Sequence, residues 1–415
     1  MIPRLTFTIV FLILCSLLEV YTYQSLKTLI RSNWVLNLYK IISFILMVYI
    51  LYRFTKFDRT QGQTRYDMYT AGLFLLIYVP KFILTLTMFG EDIFRFFAGA
   101  FYHFSSSDKA VSFLPSRRKF VSQIGLGIAA IPFLSLIYGI TVGRYNYKVI
   151  KQTLFYPDLP DAFDGFKITQ ISDVHSGSFD NPDKINYAID LVNEQEADII
   201  LFTGDIVNTF AREMHPWIDT FKKIKKYEFG KYSVLGNHDY GEYVEWNNDF
   251  ESKEKNFNEI KNLYKEIGFN LLLNENVKIK KGNDEIALVG VENWGYKFKQ
   301  AGDLNKASEN LKKEDFKILM SHDPSHWEME VKNHPKNFHL TLSGHTHGMQ
   351  FGIEIPGFIK WSLAQYMYKQ WAGLYQNMGR YIYVNRGFGF HAFPGRVGIM
   401  PEITVIELKK GNFVV

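Results

Sequence analysis

Residues 338–348 read FHLTLSGHTHG, a short run of alternating apolar side chains that ends in two histidines, one residue apart, between glycines. Alternation over a few residues reads as a strand, and glycines beside it relieve the backbone where it turns. The chain has only eleven histidines in 415 residues. Two at one strand end raise the question of whether other strands end in the same way.

They do. From about Tyr147 onward, short runs rich in Ile, Val, Leu and Phe alternate with polar segments of helical length, the pattern of an α/β domain. The predicted strands are FKITQIS (166–172), ADIILFT (197–203), KYSVLG (231–236), EIALVGV (285–291), FKILMS (316–321), FHLTLS (338–343), RYIYVN (380–385) and EITVIEL (402–408). The charged segment Glu242–Lys265 is helix-compatible and reads as a solvated excursion. In open α/β sheets, ligands bind at the C-terminal ends of strands, where loops converge and backbone groups are free.

Five of those ends carry Asp, Asn or His. They are Asp173-Val174-His175, Gly204-Asp205, Gly236-Asn237-His238-Asp239, His322-Asp323 and Gly344-His345-Thr346-His347. These side chains bind divalent cations through oxygen and imidazole nitrogen. Each alone has a bland reading: Asp-x-His is commonly a capped turn, and Gly-Asn-His-Asp a tight turn with a left-handed Asn. Turn chemistry does not explain five in the same position relative to a strand. His103, His215, His326, His334, His339 and His391 do not share that placement as a group and read as surface or core polar residues.

The first third differs in kind. Leu5–Tyr23, Trp34–Phe54, Met68–Phe89 and Phe120–Val142 are each near the length of helix that crosses a bilayer. The first has only Arg4 ahead of it and no small-residue cleavage site, so it reads as a retained anchor rather than a signal peptide. Pro80 and Lys81 weaken the third, since a mid-membrane charge needs a neighbour or must snorkel. The alternative, a soluble bundle of buried helices, would have to hide four such runs from water. The boundaries are 1–146 for a multi-pass transmembrane region and 147–415 for the α/β domain.

Residues 1–150 carry 16 Lys and Arg against 6 Asp and Glu, and the rest carry 31 against 36. An acidic second part excludes nucleic acid as the main partner, because phosphate backbones require clustered cations. Cys15 is the single cysteine, so no internal disulfide forms. Basic residues flank the spans almost equally on both sides, Lys109 among them, and the positive-inside rule does not decide the orientation. Ser116-Arg117-Arg118-Lys119-Phe120-Val121 reads either as a twin-arginine export signal or as an ordinary cytoplasmic anchor of the last span. Both readings lean toward a C-terminal domain on the outside.

The ordered set Asp173-x-His175, Gly204-Asp205, Gly236-Asn237-His238-Asp239, His322 and Gly344-His345-x-His347 resembles the calcineurin-like metallophosphoesterase superfamily over about residues 166–400. With Val384-Asn385-Arg386-Gly387-Phe388-Gly389, Pro394 and Pro401-Glu402-Ile403, it is similar to the bacterial membrane-anchored branch of twin-arginine-exported phosphodiesterases and UDP-2,3-diacylglucosamine pyrophosphatases. Where that branch often reads Gly-Gly-Gln, this chain has Gly348-Met349-Gln350, a larger side chain beside the metal rim. The resemblance implies an αββα sandwich of two mixed sheets and two divalent ions, drawn from Mn, Fe, Zn, Co or Mg. It also implies roles. Asp173, His175 and His347 hold one ion, Asn237, His322 and His345 the other, and Asp205 bridges both. His345 and His347, on alternate positions of an extended strand end, would each serve one ion.

His238 is then free to act as a general acid or phosphoryl hydrogen-bond donor. Asp239 reads either as the group orienting that imidazole or as a helix N-cap. Arg386 reads as a phosphate-binding residue or, by default, a surface ion pair. The aromatic segment Phe351–Met378 reads as a lid helix packed on the core, with a lipid or sugar pocket and a membrane-interface face as alternatives. Function follows as a membrane-anchored phosphoesterase acting on a phosphodiester or pyrophosphate, in a phosphorylated, lipid-linked or envelope substrate such as UDP-2,3-diacylglucosamine. That nucleotide-lipid would require a cytoplasmic site, against the outward lean. The alternative class is a non-catalytic membrane sensor or scaffold with a structural metal site; no ligand of the set is missing.

Overall fold

The computed structural model describes residues 4–104, 115–296, 298–355 and 357–412; Lys109 and the side chain of His103 lie outside the described residues. The chain divides into two compact units, one of residues 1–57 and 66–138, the other of residues 58–65 and 139–415.

The first unit is helical. Helices α1 (Arg4–Leu29), α2 (Asn33–Thr55), α3 (Arg65–Phe104) and α4 (Pro115–Thr141) are all long and apolar enough to cross a bilayer. This is a multi-pass membrane protein. Ile13, Leu14, Ile41, Phe44, Phe82 and Leu134 stand exposed along the helices, as lipid-facing positions do. The third helix is much longer than its apolar core and runs through Pro80. Lys81 is tolerated there because it pairs with Glu19 of α1 and donates to Ser43 Oγ of α2 (3.1 Å), while Tyr39 Oη donates to Glu19 Oε2 (2.7 Å). Arg118 donates to Gln24 Oε1 (2.9 Å), and Arg117 lies over the Phe94 ring.

The second unit carries strands β1 (Lys148–Tyr156), β2 (Lys167–Ile171), β3 (Ile199–Phe202), β4 (Lys231–Ser233), β5 (Asn270–Leu271), β6 (Glu275–Lys281) and β7 (Asp284–Gly290). They continue as β8 (Lys317–Met320), β9 (Leu340–Ser343), β10 (Gly352–Ile355), β11 (Ile359–Ser362), β12 (Gly373–Asn377), β13 (Arg380–Val384) and β14 (Glu402–Lys410). They form two mixed six-stranded sheets, ordered β1-β14-β2-β3-β4-β5 and β12-β13-β9-β8-β7-β6, and a small β10-β11 hairpin. Leu154, Ile168, Leu201, Leu288, Ile318, Leu340 and Ile406 meet between the sheets. Helix α5 (Pro182–Glu194), started by the Asn181 cap and Pro182, buries Ile185, Ala188, Ile189 and Val192. The helix Phe250–Glu266 buries Ile260, Leu263 and Tyr264. On the second sheet, Val289, Leu319 and Ile382 pack against Leu304 and Trp327. With helices on the outer faces, β2, β3, β8 and β9 are buried almost throughout, which is why they read as continuous apolar runs.

All eight predicted strands are present. The aromatic segment differs from its expected lid helix: it forms β10, β11, a short 3-10 turn at Leu363–Tyr366, and β12. Ile353 and Ile355 alternate along β10, Gly357 takes φ 73° at the bend, and only Trp371 of the large aromatics is well buried, beside Ala364, Ala372 and Ile399. Pro356 lies outside the described residues.

Candidate metal centre

Each donor sits just beyond its strand. Asp173 and His175 follow β2, Asp205 follows β3, Asn237 and His238 follow β4, His322 follows β8, and His345 and His347 follow β9. Asp173, His175, Asp205, His345 and His347 hold positive φ, from 48° to 73°. Non-glycine residues in this region cost roughly 1–3 kcal/mol each, strain that collects at functional sites. Glycine permits the crowding: a Cβ on Gly344 would collide with Ser172 Oγ and the Asp173 carboxylate, and one on Gly204 with the backbone of Gly236.

The structure brings all seven expected ligands together. Asp173, His175 and His347 each place a donor atom within 4.8 Å of the others, and so do Asp173, Asp205 and His322. His322 Nε2 lies 3.1 Å from Asn237 Oδ1, and His345 Nδ1 2.7 Å from that same oxygen. Between these groups, Asp205 Oδ2 stands 3.1 Å from His322 Nε2 and 3.7 Å from His175 Nε2. His345 and His347 do reach different groups, but through left-handed backbone in a tight turn rather than through the alternation of an extended strand. Met349 takes φ 51°, a conformation glycine adopts freely, and its side chain is exposed.

These clusters lie within a chain whose sequence matches two family models. Residues 4–144 match a model described as a probable calcineurin-like phosphoesterase transmembrane domain, and residues 166–349 match the calcineurin-like phosphoesterase model. YkuE, a metallophosphoesterase of Bacillus subtilis strain 168, is 32% identical over 72% of this chain and 99% of its own length. The chain belongs to the calcineurin-like metallophosphoesterases. A metallophosphoesterase of Helicobacter pylori strain J99 is 30% identical over 80% of this chain and 84% of its own. A Danio rerio transmembrane protein with a metallophosphoesterase domain is 26% identical over 66% and 60% respectively.

The donor set of this metallophosphoesterase fits a cation. Its carboxylate, amide and imidazole groups are the ligand types of Mn, Fe and Zn sites. His347 Nε2 is buried and faces Asp173 Oδ1 at 3.2 Å, an imidazole nitrogen and a carboxylate oxygen that are both donor atoms for a cation. Burial would lower the His322 pKa, but the adjoining Asp205 carboxylate outweighs it and lifts the ring to about 10. Such a ring holds a proton that a bound cation replaces. Burial raises the Asp173 carboxyl, yet His347 and His322 hold it below its ordinary value. Burial, aided by the His322 charge, takes the His345 imidazole down to about 4 against the pull of the Asp323, Asp205 and Asp173 carboxylates.

Around the ligands the structure corrects two expectations. Asp239 does not touch the His238 ring and is not a helix cap. Its buried carboxylate accepts the backbone N–H groups of Asp205 (3.0 Å), Ile206 (3.0 Å) and Gly236 (2.9 Å) and the Tyr264 hydroxyl (2.8 Å), locking two ligand loops together. What orients His238 is Asn208, whose carbonyl accepts from His238 Nδ1 at 2.7 Å, with the Tyr243 ring stacked on the imidazole. Arg386 is buried and committed to Glu402 and Glu354, so its fork is closed to a phosphate. Surface exposure was the wrong default because both carboxylates come from distant β14 and β10.

Three contributors carry no local mark. Arg396 is fully buried, donates to the carbonyls of Arg386 (2.7 Å) and His347 (3.2 Å), and reaches His347 Nδ1 at 2.8 Å. The Tyr368 hydroxyl lies 2.7 Å from His345 Nε2. His391, expected among ordinary polar residues, lies against His175 and His238.

Proposed function

We propose that this protein hydrolyses a phosphodiester or pyrophosphate bond of a lipid-linked or envelope molecule, UDP-2,3-diacylglucosamine being one such. The site would take two divalent ions. Asp173, His175 and His347 would hold one and Asn237, His322 and His345 the other, with Asp205 shared. The observation that carries this is the place of Asp205 Oδ2, between His322 Nε2 and His175 Nε2. When bound, two such ions grip the attacking and leaving oxygens of an in-line displacement.

The chain's own residues do the rest. Asp205 Oδ1 accepts the His238 backbone N–H at 2.8 Å, which ties the catalytic imidazole to the shared carboxylate. With Nδ1 donating to Asn208 O, the protonated imidazole has Nε2–H to give to the leaving oxygen. Tethering to four helices favours substrates held in the same membrane by raising their local concentration.

The test is hydrolysis of a chromogenic phosphodiester and its monoester by the full-length protein in detergent, with and without Mn²⁺. Cation-dependent turnover should fall about 10²–10⁴-fold in His238→Ala and vanish in Asp205→Asn. A cation-loaded protein inactive on these compounds, UDP-linked lipids and lipid phosphates would overturn the enzyme reading in favour of a sensor. UDP-2,3-diacylglucosamine requires a cytoplasmic catalytic domain, whereas the Arg117-Arg118 segment leans toward an outside one. A reporter active on one side only, fused after Val415, decides the side, and an outside signal removes the cytoplasmic nucleotide-lipid as a substrate.

A further inference from the structure

His391 stands in the candidate site with nothing yet for it to do. Its ring stacks on His175 (centroids 4.9 Å, planes 18° apart) and meets His238 edge-on (4.5 Å, 69°). One ring nitrogen of each of these three histidines lies within 4.8 Å of the others. His391 Nδ1 is buried and has no hydrogen-bond partner. An imidazole carries at least one ring N–H whether it is neutral or charged. Two nitrogens at such a spacing can both bond a single oxygen between them at about 2.8 Å.

A third cation is the competing occupant, and the neighbours argue against it. His175 Nδ1 is already engaged with Asn208 Oδ1 (3.1 Å), and its Nε2 faces Asp205. Neither nitrogen is left for a site with His238 and His391.

The backbone around His391 is held from two sides. Its N–H donates to Gln350 Oε1 at 2.6 Å, and Gln350 Nε2 donates to the carbonyls of Phe393 and Gly395, 3.0 Å each. On the next residue, Ala392, at φ 63°, the Gln63 amide closes a reciprocal pair: Oε1 accepts Ala392 N–H and Nε2 donates to Ala392 O, both at 3.0 Å. Gln63 belongs to the segment joining α2 and α3. Within the catalytic unit that segment also holds the loop of Tyr243, since Glu245 N–H donates to Arg59 O at 3.0 Å. One short segment between two membrane spans therefore touches the loops carrying His391 and Tyr243.

We propose that His391 acts directly on the bound phosphoryl group, donating its ring N–H to a non-bridging oxygen beside His238, and that Gln63 is the positioning residue that holds it there. The proposal rests on the phosphoesterase reading.

The experiment uses the full-length protein in detergent and a chromogenic phosphodiester. His391→Ala should lower kcat/KM about 10²-fold with bound cations equal to wild type, and added imidazole should restore part of the loss in that variant alone. His391→Gln, which keeps an N–H donor, should stay within about tenfold of wild type and covers the case in which the alanine variant fails to fold. Gln63→Ala should cost severalfold in the wild-type background and nothing further in His391→Ala, because the two act as one unit. Unchanged kcat/KM in His391→Ala, or loss of a cation equivalent, would overturn the proposal; additive losses would remove Gln63 from it. If wild type turns over no substrate, the enzyme reading fails, and His391 is judged on inorganic phosphate binding by the cation-loaded protein. There His391→Ala should bind about tenfold more weakly, and equal affinity would overturn the proposal.

Discussion

The two sheets of the catalytic unit contribute to the site differently. The first brings the oxygen donors, Asp173, Asp205 and Asn237, from the ends of the adjacent parallel strands β2, β3 and β4, together with His175. The second brings His322, His345 and His347 from the adjacent parallel strands β8 and β9. Loops of the first sheet brace one another: Asp173 N–H donates to Gly204 O (2.9 Å), His175 N–H to Asp205 O (3.1 Å), and Asp239 gathers three backbone donors. Donors of the second sheet lean across the gap, with His322 Nδ1 on Thr203 O (2.6 Å) and His345 N–H on the Asp173 carboxylate (2.9 Å). The oxygen side is built by its own sheet. The imidazole side is aligned only when the sheets are together, and cations bound between them would join the two.

The largest effect expected from that asymmetry is on cation removal. Chelation should abolish hydrolysis and lower Tm by roughly 5–10 °C for each cation held near 100 times its Kd, read by differential scanning fluorimetry with Mn²⁺ added back. An unmoved Tm would mean the sheets hold the site without help from a cation. Next comes Arg396→Met, which frees His347 on the imidazole side. It should weaken cation binding or activity about 10–100-fold, measured by titrating activity against Mn²⁺. An equal loss in Arg386→Met would dissolve the contrast, because Arg386 braces β13, β14 and β10 without touching a ligand.

The smallest effect probes the bracing of the oxygen side. Glu213 accepts the N–H groups of Asn208 (2.6 Å) and Thr209 (3.1 Å), and burial lifts its carboxyl to about 7 despite those donors. A carboxyl raised in the folded state contributes stability that is complete below its unfolded value and is lost as pH rises through about 7. Wild type should therefore lose roughly 1–2 kcal/mol relative to Glu213→Gln between pH 5 and 8. Denaturant melts at both pH values check it, and parallel curves would sink it.

The site was legible where chemistry is concentrated in short stretches. Five strand ends carry Asp, Asn or His, and position relative to a strand survives folding. What failed depends on partners far along the chain. Asp239 and Arg386 have the right residue types for catalysis and phosphate binding, yet their hydrogen bonds go to backbone and to Glu402 and Glu354. His391 and Arg396 reach the site from the connection after β13, a path no local pattern marks. Strands β1 and β6 were missed because, as sheet edges, they are half exposed and carry lysines, the polar dressing that discourages edge pairing. The lid helix failed because aromatic density says that a segment packs and not how.

The pairing of β14 governs the order in which this molecule can be finished. The strand enters the first sheet between β1, its parallel partner along nine residue pairs, and β2, its antiparallel partner. While the ribosome is still making the middle of the domain, β1 has no neighbour and β2 has only β3. At about 5–20 residues per second, β1 waits roughly 10–50 s for its partner to be made. A nascent chain stalled before Glu402 shows two open strand edges at once, with Arg386 buried beside a missing carboxylate. Such a chain is easily distinguished from the finished protein by proteases and chaperones, so damage to residues 402–410 should appear as low abundance before it appears as low activity.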